Sequence, residues 1–349
     1  WEVRVVTDSA PIVSVDEPPR LHQALPQAVV PLHVRARDDF GLSQLDLQVL
    51  RSDAGEVHEL PVSLWHRTES VDGPAASGLQ GPGPAPDKQD LEYRWELTSL
   101  ADLVPGDWIE YRVVAIDVKG QVTESATQRL DLISRNELDQ KIMRQQAQMV
   151  SRLEESLRLQ RDTHEHSQAI LQQFRDSGAF RKSDLDHLQS VELNQRQVKE
   201  LLSDSLEGIP ADVKQLLDIV RENQVRLPDL SGQLQQLLST LARLEKEQLV
   251  EVEANLMFTL KTSRSEHETA TKGLAVDARE DIQVPVNRAA ELAFDRSVQG
   301  QEVVLRKLAA LLGEVSEQED YQRFTHDIRR IASLQNQYRE QTQQLQVDR

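Results

Sequence analysis

Two periodicities divide the chain. Up to about residue 135, apolar side chains recur at every second position, the spacing that lines one face of a β-strand. Val30, Leu32, Val34 and Ala36 alternate with Pro31, His33, Arg35 and Arg37, and Leu45, Leu47 and Val49 with Asp46, Gln48 and Leu50. Leu91, Tyr93 and Trp95 alternate with Glu92, Arg94 and Glu96, and Ile109, Tyr111, Val113 and Ala115 with Glu110, Arg112, Val114 and Ile116. Shorter runs at Ile12–Val15, Glu56–Leu64 and Glu124–Leu132 bring the expected strands to about seven. Turn signals at Asp53-Ala-Gly55, Pro105-Gly106-Asp107 and Lys119-Gly120 separate them, and no strand alternates with a helix. This predicts an antiparallel sandwich over 9–135 and disfavours a parallel βαβ sheet. The stretch Asp72–Lys88 has no apolar periodicity and reads as a long flexible loop. Trp1–Val6 alternates much as Ala126–Leu132 does, so residues 1–8 read as the end strand of a preceding module and its linker.

From Asn136 the apolar spacing changes to 3 and 4, and 136–349 is expected to form a Gln/Leu-rich helical region. Leu138, Ile142, Met149, Leu153 and Leu157 mark a helix that could run to Gln173, roughly 55 Å at 1.5 Å per residue. Ser177-Gly178 breaks it, and Ser183 with Asp186 offers a cap for the next helix, striped by Leu188, Val191, Val198 and Leu202. Pro210 suits a helix start, with Val213, Leu216, Leu217 and Val220 behind it, and Pro228 is expected to end that segment. Leu230, Leu234, Leu237, Leu241 and Leu244 then form a 4-3-4-3 seam, the strongest coiled-coil-like run in the chain. It drifts after about two heptads, which favours a long-helix antiparallel bundle over a free coiled coil. Thr271–Pro285 reads as a hinge; later stripes are Val303, Leu305, Leu308, Leu312 and then Phe324, Ile328, Ile331, Leu334, Tyr338. Solvated helix surface accounts for the many glutamines. The seam Leu230–Leu244 is the candidate contact surface for self-association or a protein partner.

Composition sharpens the division. Eleven of the 14 prolines and all four tryptophans (Trp1, Trp65, Trp95, Trp108) precede residue 135. With 58 acidic and 40 basic side chains among 349 residues, the net charge of −18 opposes tight binding to a nucleic-acid backbone. Having no Cys, the chain has neither disulfides nor thiolate chemistry, and no apolar run is long enough to span a bilayer. The chain begins at Trp1 without a signal peptide and reads as a piece of a longer protein, so membrane contact would come only through a segment absent from it.

Candidate chemistry is sparse. In His164-Glu165-His166 the two histidines point about 200° apart on a helix, which is wrong for a shared metal. Asp38-Asp39 and Asp117, each ending a strand, invite a calcium reading, with Asp8 the one carboxylate within Val5–Ser9. Turn formation explains Asp38-Asp39 equally well, with Gly41 supplying an unusual φ. Gly81-Pro-Gly-Pro-Ala-Pro86 lacks the ending of a phosphate cradle, and no nucleophile elbow is present. Trp65, Trp95 and Trp108 could form a stacking face, although core packing is the commoner fate of tryptophan in a strand. No catalytic, cofactor-binding or metal-binding residue is therefore assigned.

Leu103-Val-Pro-Gly-Asp-Trp-Ile-Glu-Tyr111-Arg-Val-Val-Ala115-Ile-Asp117-Val-Lys-Gly120, followed by Ser125, resembles the late-strand signature of fibronectin-type and immunoglobulin-like modules, in which a Tyr packs at a corner. Thr7-Asp8-Ser-Ala-Pro11 resembles the join between consecutive extracellular β modules, cadherin-like ones included. Together with Ala36-Arg-Asp-Asp-Phe-Gly-Leu42 and the sandwich-then-helices order, the pattern is similar to large bacterial cell-envelope proteins with a membrane anchor, an Ig-like ectodomain and a long Gln-rich helical region. The resemblance implies an extracytoplasmic location, in the periplasm or cell envelope. The expected function is that of a non-catalytic spacer and protein-interaction scaffold, without nucleic acid; a glycan or peptide receptor using the sandwich loops is the alternative.

Overall fold

The computed structural model describes residues 8–53, 56–67, 86–100, 102–225, 228–272 and 282–316. The chain is mixed α+β and separates into two compact units: residues 1–140 with Ile219–Arg226, and 141–218 with 227–349.

In the first unit, strands β1 (Ile12–Glu17), β3 (Val29–Arg37) and β6 (Lys88–Glu96) form an antiparallel sheet in the order β1-β3-β6. A second sheet runs β2-β9-β7-β4-β5, built from β2 (Leu21–Ala24), β4 (Leu42–Asp53), β5 (Glu56–His66), β7 (Trp108–Asp117) and β9 (Gln128–Leu132), with β8 (Val122–Glu124) also on β7. The alternation works as the sequence predicts. Val30, Leu32, Val34 and Ala36 of β3, Leu45, Leu47 and Val49 of β4, and Ile109, Tyr111, Val113 and Ala115 of β7 all turn into one apolar cluster shared with Trp95 and Leu130.

Two expectations need correcting here. The unit is not purely antiparallel, because β2 pairs in parallel with β9, Leu21 opposite Arg129 and Ala24 opposite Leu132. No alternation announces β2, since its Leu21 points to solvent and only Ala24 is buried. The chain reaches β2 from β1 across the cis Glu17–Pro18 bond. Second, Glu124–Leu132 is two strands rather than one. At the break Ser125 replaces a ladder rung: its amide donates to Val113 O (2.8 Å) and its hydroxyl accepts from Val113 N (2.9 Å). Tyr111 makes no corner hydrogen bond. Its ring meets Trp95 edge-on with centroids 5.2 Å apart, and its buried hydroxyl has no partner. Burial, then the negative charge of Glu222, pushes its ionisation well above the usual phenol range. The expected strand Trp1–Val6 and most of the expected loop Asp72–Lys88 lie outside the described residues; Lys88 itself opens β6.

Residues Ile219–Arg226 join this unit through β2. Asn223 Oδ1 accepts from the Leu25 amide at 2.7 Å, and Glu222 pairs with His22. Helix α1 (Arg135–Ser177) starts only two residues after β9. Ser134 and Glu137 cap it reciprocally: Glu137 Oε2 accepts from the Ser134 amide at 2.7 Å, and Ser134 Oγ from the Glu137 amide at 3.3 Å.

The second unit contains the rest of α1, α2 (Lys182–Ser203), most of α3 (Ile209–Glu222), α4 (Pro228–Leu244), α5 (Val250–Ala270) and helical residues 288–316, here α6. Helix α1 runs a turn beyond Gln173 and ends at the expected break Ser177-Gly178, where the φ of +63° at Gly178 and its amide bond to Phe174 O (3.0 Å) terminate it. The next cap is not Ser183: α2 starts at Lys182, and Asp184 Oδ2 accepts from the Arg181 amide at 2.8 Å. Pro228 opens α4 rather than ending α3, which stops at Glu222. Of the expected hinge Thr271–Pro285, residues 273–281 lie outside the described residues, and its far end is pinned. There β11 (Val284–Pro285) pairs with β10 (Ala179–Phe180), and Val284 packs with Phe174, Phe180 and Phe294 in an apolar cluster.

The 4-3-4-3 seam does not drift. A π-turn at Glu245–Leu249 joins α4 to α5 without interrupting the helix, so buried Leu244 is followed five residues on by Leu249, then Val252 and Leu256. One extra residue in a wider turn returns the same face inward. In α6 the buried stripe is Val304, Leu308 and Leu311, not Val303, Leu305 and Leu312; the stripe Phe324–Tyr338 lies outside the described residues.

Candidate functional site

The predicted contact seam comes first. Leu230, Leu234, Leu237, Leu241 and Leu244 are all buried by the chain itself, none more than 4% exposed. In this conformation they are internal core and cannot present an open face, so the contact-surface reading of the seam is corrected.

A different helical surface is open. Between α2 and α5 runs a groove of about 510 Å³ whose lining includes Leu193, Met257, Glu192, Arg196, Lys261 and Arg264. Leu193 and Met257 are about half exposed, at 50% and 51%. Glu192 pairs with Arg196 one turn on, and Lys199 of α2 with Glu253 of α5, while Arg264 Nη2 donates to Gln189 Oε1 at 2.9 Å. Apolar side chains and both signs of charge therefore share one surface.

Beneath the helical surface lies a polar layer that counting apolar residues could not find. Helices α1, α2 and α6 each place a glutamine at a buried stripe position, respectively Gln160, Gln195 and Gln301, none more than 1% exposed. The Gln195 amide donates to Gln160 Oε1 at 3.1 Å, and Gln301 Nε2 donates to Gln195 Oε1 at 3.0 Å. Solvated surface does not account for these three glutamines. Around them Thr163, Ser167 and Thr259 bury hydroxyls that bond to the carbonyl four residues back, at 2.7–2.8 Å. Thr259 also reaches across to Ala290 O at 3.2 Å. The helices approach closely there: a Cβ on Gly300 would sit 2.5 Å from Val252 Cγ2. The sequence signal was the 4-3-4-3 spacing of Ala290, Phe294, Ser297, Gln301, Val304, Leu308 and Leu311, which holds once polar residues are admitted. His164 also faces inward, with Nδ1 unpartnered, whereas its neighbour His166 is exposed; the pair shares no site.

The third feature is an acidic end of the first unit. The turn from β3 to β4 holds Asp38 and Asp39, and one carboxylate oxygen from each lies within 4.8 Å of one from Asp8 and of each other. Asp38 Oδ2 accepts from the amides of Phe40 (2.9 Å) and Gly41 (2.7 Å), the latter made available by a φ of +108° at Gly41. Asp8 Oδ2 accepts from Gln121 Nε2 (2.8 Å) and Lys119 Nζ (2.9 Å), and Asp39 Oδ1 from the Ser9 amide at 3.4 Å. Asp117 stands beside this turn, Leu42 pairing with it in register, and its Oδ1 takes the amides of Lys119 (2.8 Å) and Gln121 (2.7 Å). It is not one of the three converging carboxylates; Asp8 takes the place the sequence reading gave it.

The tryptophans do not supply one open stacking face. Trp95 is closed in the core, Trp65 packs against that core's edge, and Trp108 lies under the Arg129 guanidinium, 5.0 Å from the ring centroid. Among the described residues no helix is long and apolar enough to cross a membrane.

No family model and no curated protein matches the chain. Among solved structures, a Niemann-Pick type C2 protein from Japanese carpenter ant aligns at 9% identity and a TM-score of 0.23, covering 36% of this chain and 90% of that one. The sporulation control protein Spo0M of Bacillus subtilis aligns at 10% identity and 0.21, over 40% and 56%. Astrotactin-2, a vertebrate perforin-like membrane protein, aligns at 12% and 0.21, over 66% and 36%. At these scores the likenesses are marginal.

Proposed function

We propose that this chain is the non-catalytic, extracytoplasmic portion of a membrane-anchored bacterial envelope protein, in which an Ig-like or fibronectin-like sandwich and an antiparallel helical bundle serve as spacer and interaction scaffold. The sandwich reading is supported by strand order. Three strands, β1-β3-β6, face a sheet in which β9, β7, β4 and β5 are successive neighbours, and after β3 the chain changes sheet between β3 and β4, between β5 and β6, and between β6 and β7. The envelope location rests on the resemblance carried by Asp8-Ser-Ala-Pro11, Ala36–Leu42 and Gly106–Asp117.

The observation that carries the scaffold reading is the α2–α5 groove, and its occupant is a second copy of this chain. A two-fold interface must be complementary to itself. The groove meets that condition, since exposed Glu268 lies in the same surface as exposed Lys261 and Arg264, with Leu193 and Met257 as apolar anchors. Light scattering coupled to size exclusion tests it on the whole chain over a concentration series. The mass should rise towards a dimer, and Leu193→Asp with Met257→Asp should hold it at one chain with unchanged ellipticity. A constant single-chain mass up to the solubility limit sinks the self-association claim and leaves a spacer.

A further inference from the structure

We infer that Asp8, Asp38 and Asp39 form a calcium site at the end of the sheet unit, with Asp117 adding to its negative potential. Three carboxylate oxygens at this end have nothing to bind. Asp38 Oδ1, Asp8 Oδ1 and Asp117 Oδ2 are all buried and lack any hydrogen-bond partner. Asp38 is only 8% exposed and Asp117 only 2%. A buried carboxylate oxygen without a donor or counter-ion costs several kcal/mol, so such groups are ordinarily paired or bound to a cation.

Each carboxylate also has its other oxygen tied down. Asp38 is held by two backbone amides, Asp117 by two more, and Asp8 by Gln121 and Lys119. The free oxygens are thereby fixed before any ion arrives, which lowers the ordering cost of binding. The spacing suits one ion. Calcium takes oxygens at about 2.3–2.6 Å, so two ligands of one ion are at most about 5 Å apart. One carboxylate oxygen from each of Asp8, Asp38 and Asp39 lies within 4.8 Å of the other two. A smaller magnesium ion keeps more of its water and is typically met by one or two carboxylates, so three converging carboxylates favour calcium.

Lys119 is the competing charge. Its ammonium sits 2.9 Å from Asp8 Oδ2 and 4.1 Å from the Phe40 ring centroid, half exposed, and it offsets one carboxylate of four. It contacts Oδ2 and leaves Oδ1 of Asp8 free. Asp8 precedes β1 and Asp38-Asp39 follow β3, so the ion would tie the approach to β1 to the β3–β4 turn.

The test is calcium chloride titrated into the whole chain, read by calorimetry and by the tryptophan-fluorescence melting point, with magnesium chloride and sodium chloride at matched ionic strength as controls. Affinity in the roughly 0.1–1 mM range of extracellular modules is expected, with the melting point rising in calcium beyond either control. Asp39→Asn, at an exposed position, should keep the fold and weaken calcium binding roughly tenfold by removing a ligand charge. Asp38→Asn should remove the response altogether. The inference is overturned by no calcium heat at ten millimolar (about ten times the weakest expected Kd), by equal stabilisation in all three salts, or by an unchanged response in Asp39→Asn. Should Asp38→Asn fail to fold, the Asp39→Asn titration decides the matter alone.

Discussion

Around Trp95 and Tyr111 the two sheets close on a cluster of hydrophobic side chains, whereas the helices of the second unit also bury three mutually bonded glutamines and a set of serine and threonine hydroxyls. The difference follows from what fixes register in each case. A strand that slips by one residue turns its whole apolar face to water, so Leu45, Leu47 and Val49 specify their own register by alternation alone. A helix sliding by one heptad along leucine-striped neighbours loses far less. Buried Gln160, Gln195 and Gln301 can bond to one another only in a single alignment, and so supply the specificity that leucines lack.

The comparison can be broken with two signals. All four tryptophans precede residue 135, so fluorescence reports on the sheet unit while ellipticity at the helical minimum follows the helices. The largest effect is expected from Leu241→Asp, which puts an unpaired charge where a side chain is 1% exposed. It should abolish the cooperative helical transition, with the fluorescence transition left in place; retention of a wild-type helical melt would mean the seam is not core.

Next comes Gln195→Ala, which orphans Gln160 and Gln301 together and should cost about 1–3 kcal/mol for each buried amide left unpaired. Replacing all three glutamines by leucine should restore most of that stability while broadening the methyl NMR resonances of the helical unit. A triple variant with sharp, dispersed resonances would show that the layer does not set register.

The smallest effect, of opposite sign at neutral pH, belongs to Tyr111→Phe. It removes a buried hydroxyl that has no partner, so stability should hold or rise by about 1 kcal/mol. Its pH signature is sharper. Because the folded-state ionisation of Tyr111 is raised by burial, wild-type stability is complete below the ordinary phenol value of about 10 and falls as pH rises beyond it. Tyr111→Phe should flatten that alkaline decline in the fluorescence melt; an unchanged slope would mean the hydroxyl is solvated.

What could be read from the sequence tracks the same contrast. Strict alternation located β3, β4, β6 and β7 and their inward faces, because half-buried strands write their burial directly into polarity. Strand β2 was illegible: it has four residues, an exposed Leu21, and a role defined by the distant β9. In the helical unit the seam residues were found but their environment was not, since a leucine stripe looks alike whether it is covered by the same chain or by another. Gln195 and Gln301 were hidden by their polarity, and the π-turn by a five-residue step between Leu244 and Leu249 that resembles loss of pattern. The return of Ile219–Arg226 to the sheet unit depends on Asn223 and Glu222, two polar residues about 200 positions from their partners. At the acidic end, the sequence identified Asp38 and Asp39, but only the folded chain brings Asp8 to them.

The parallel pairing of β2 with β9 also bears on how the sheet unit would carry mechanical load. Tension arriving from the start of the chain meets β1 and its antiparallel pairing with β3 first; once β1 is released it pulls β2 from its Leu21 end, while tension through α1 pulls β9 from its Leu132 end. In a parallel pair those two ends lie at opposite extremes of the shared ladder. The four registered pairs, flanked by the Arg129 amide on Arg20 O and the Ile133 amide on Ala24 O, are therefore strained together in shear instead of being peeled apart one at a time. The four residues of β2, which contribute little to the core, would thus act as a second clasp behind β1 along the line of pull.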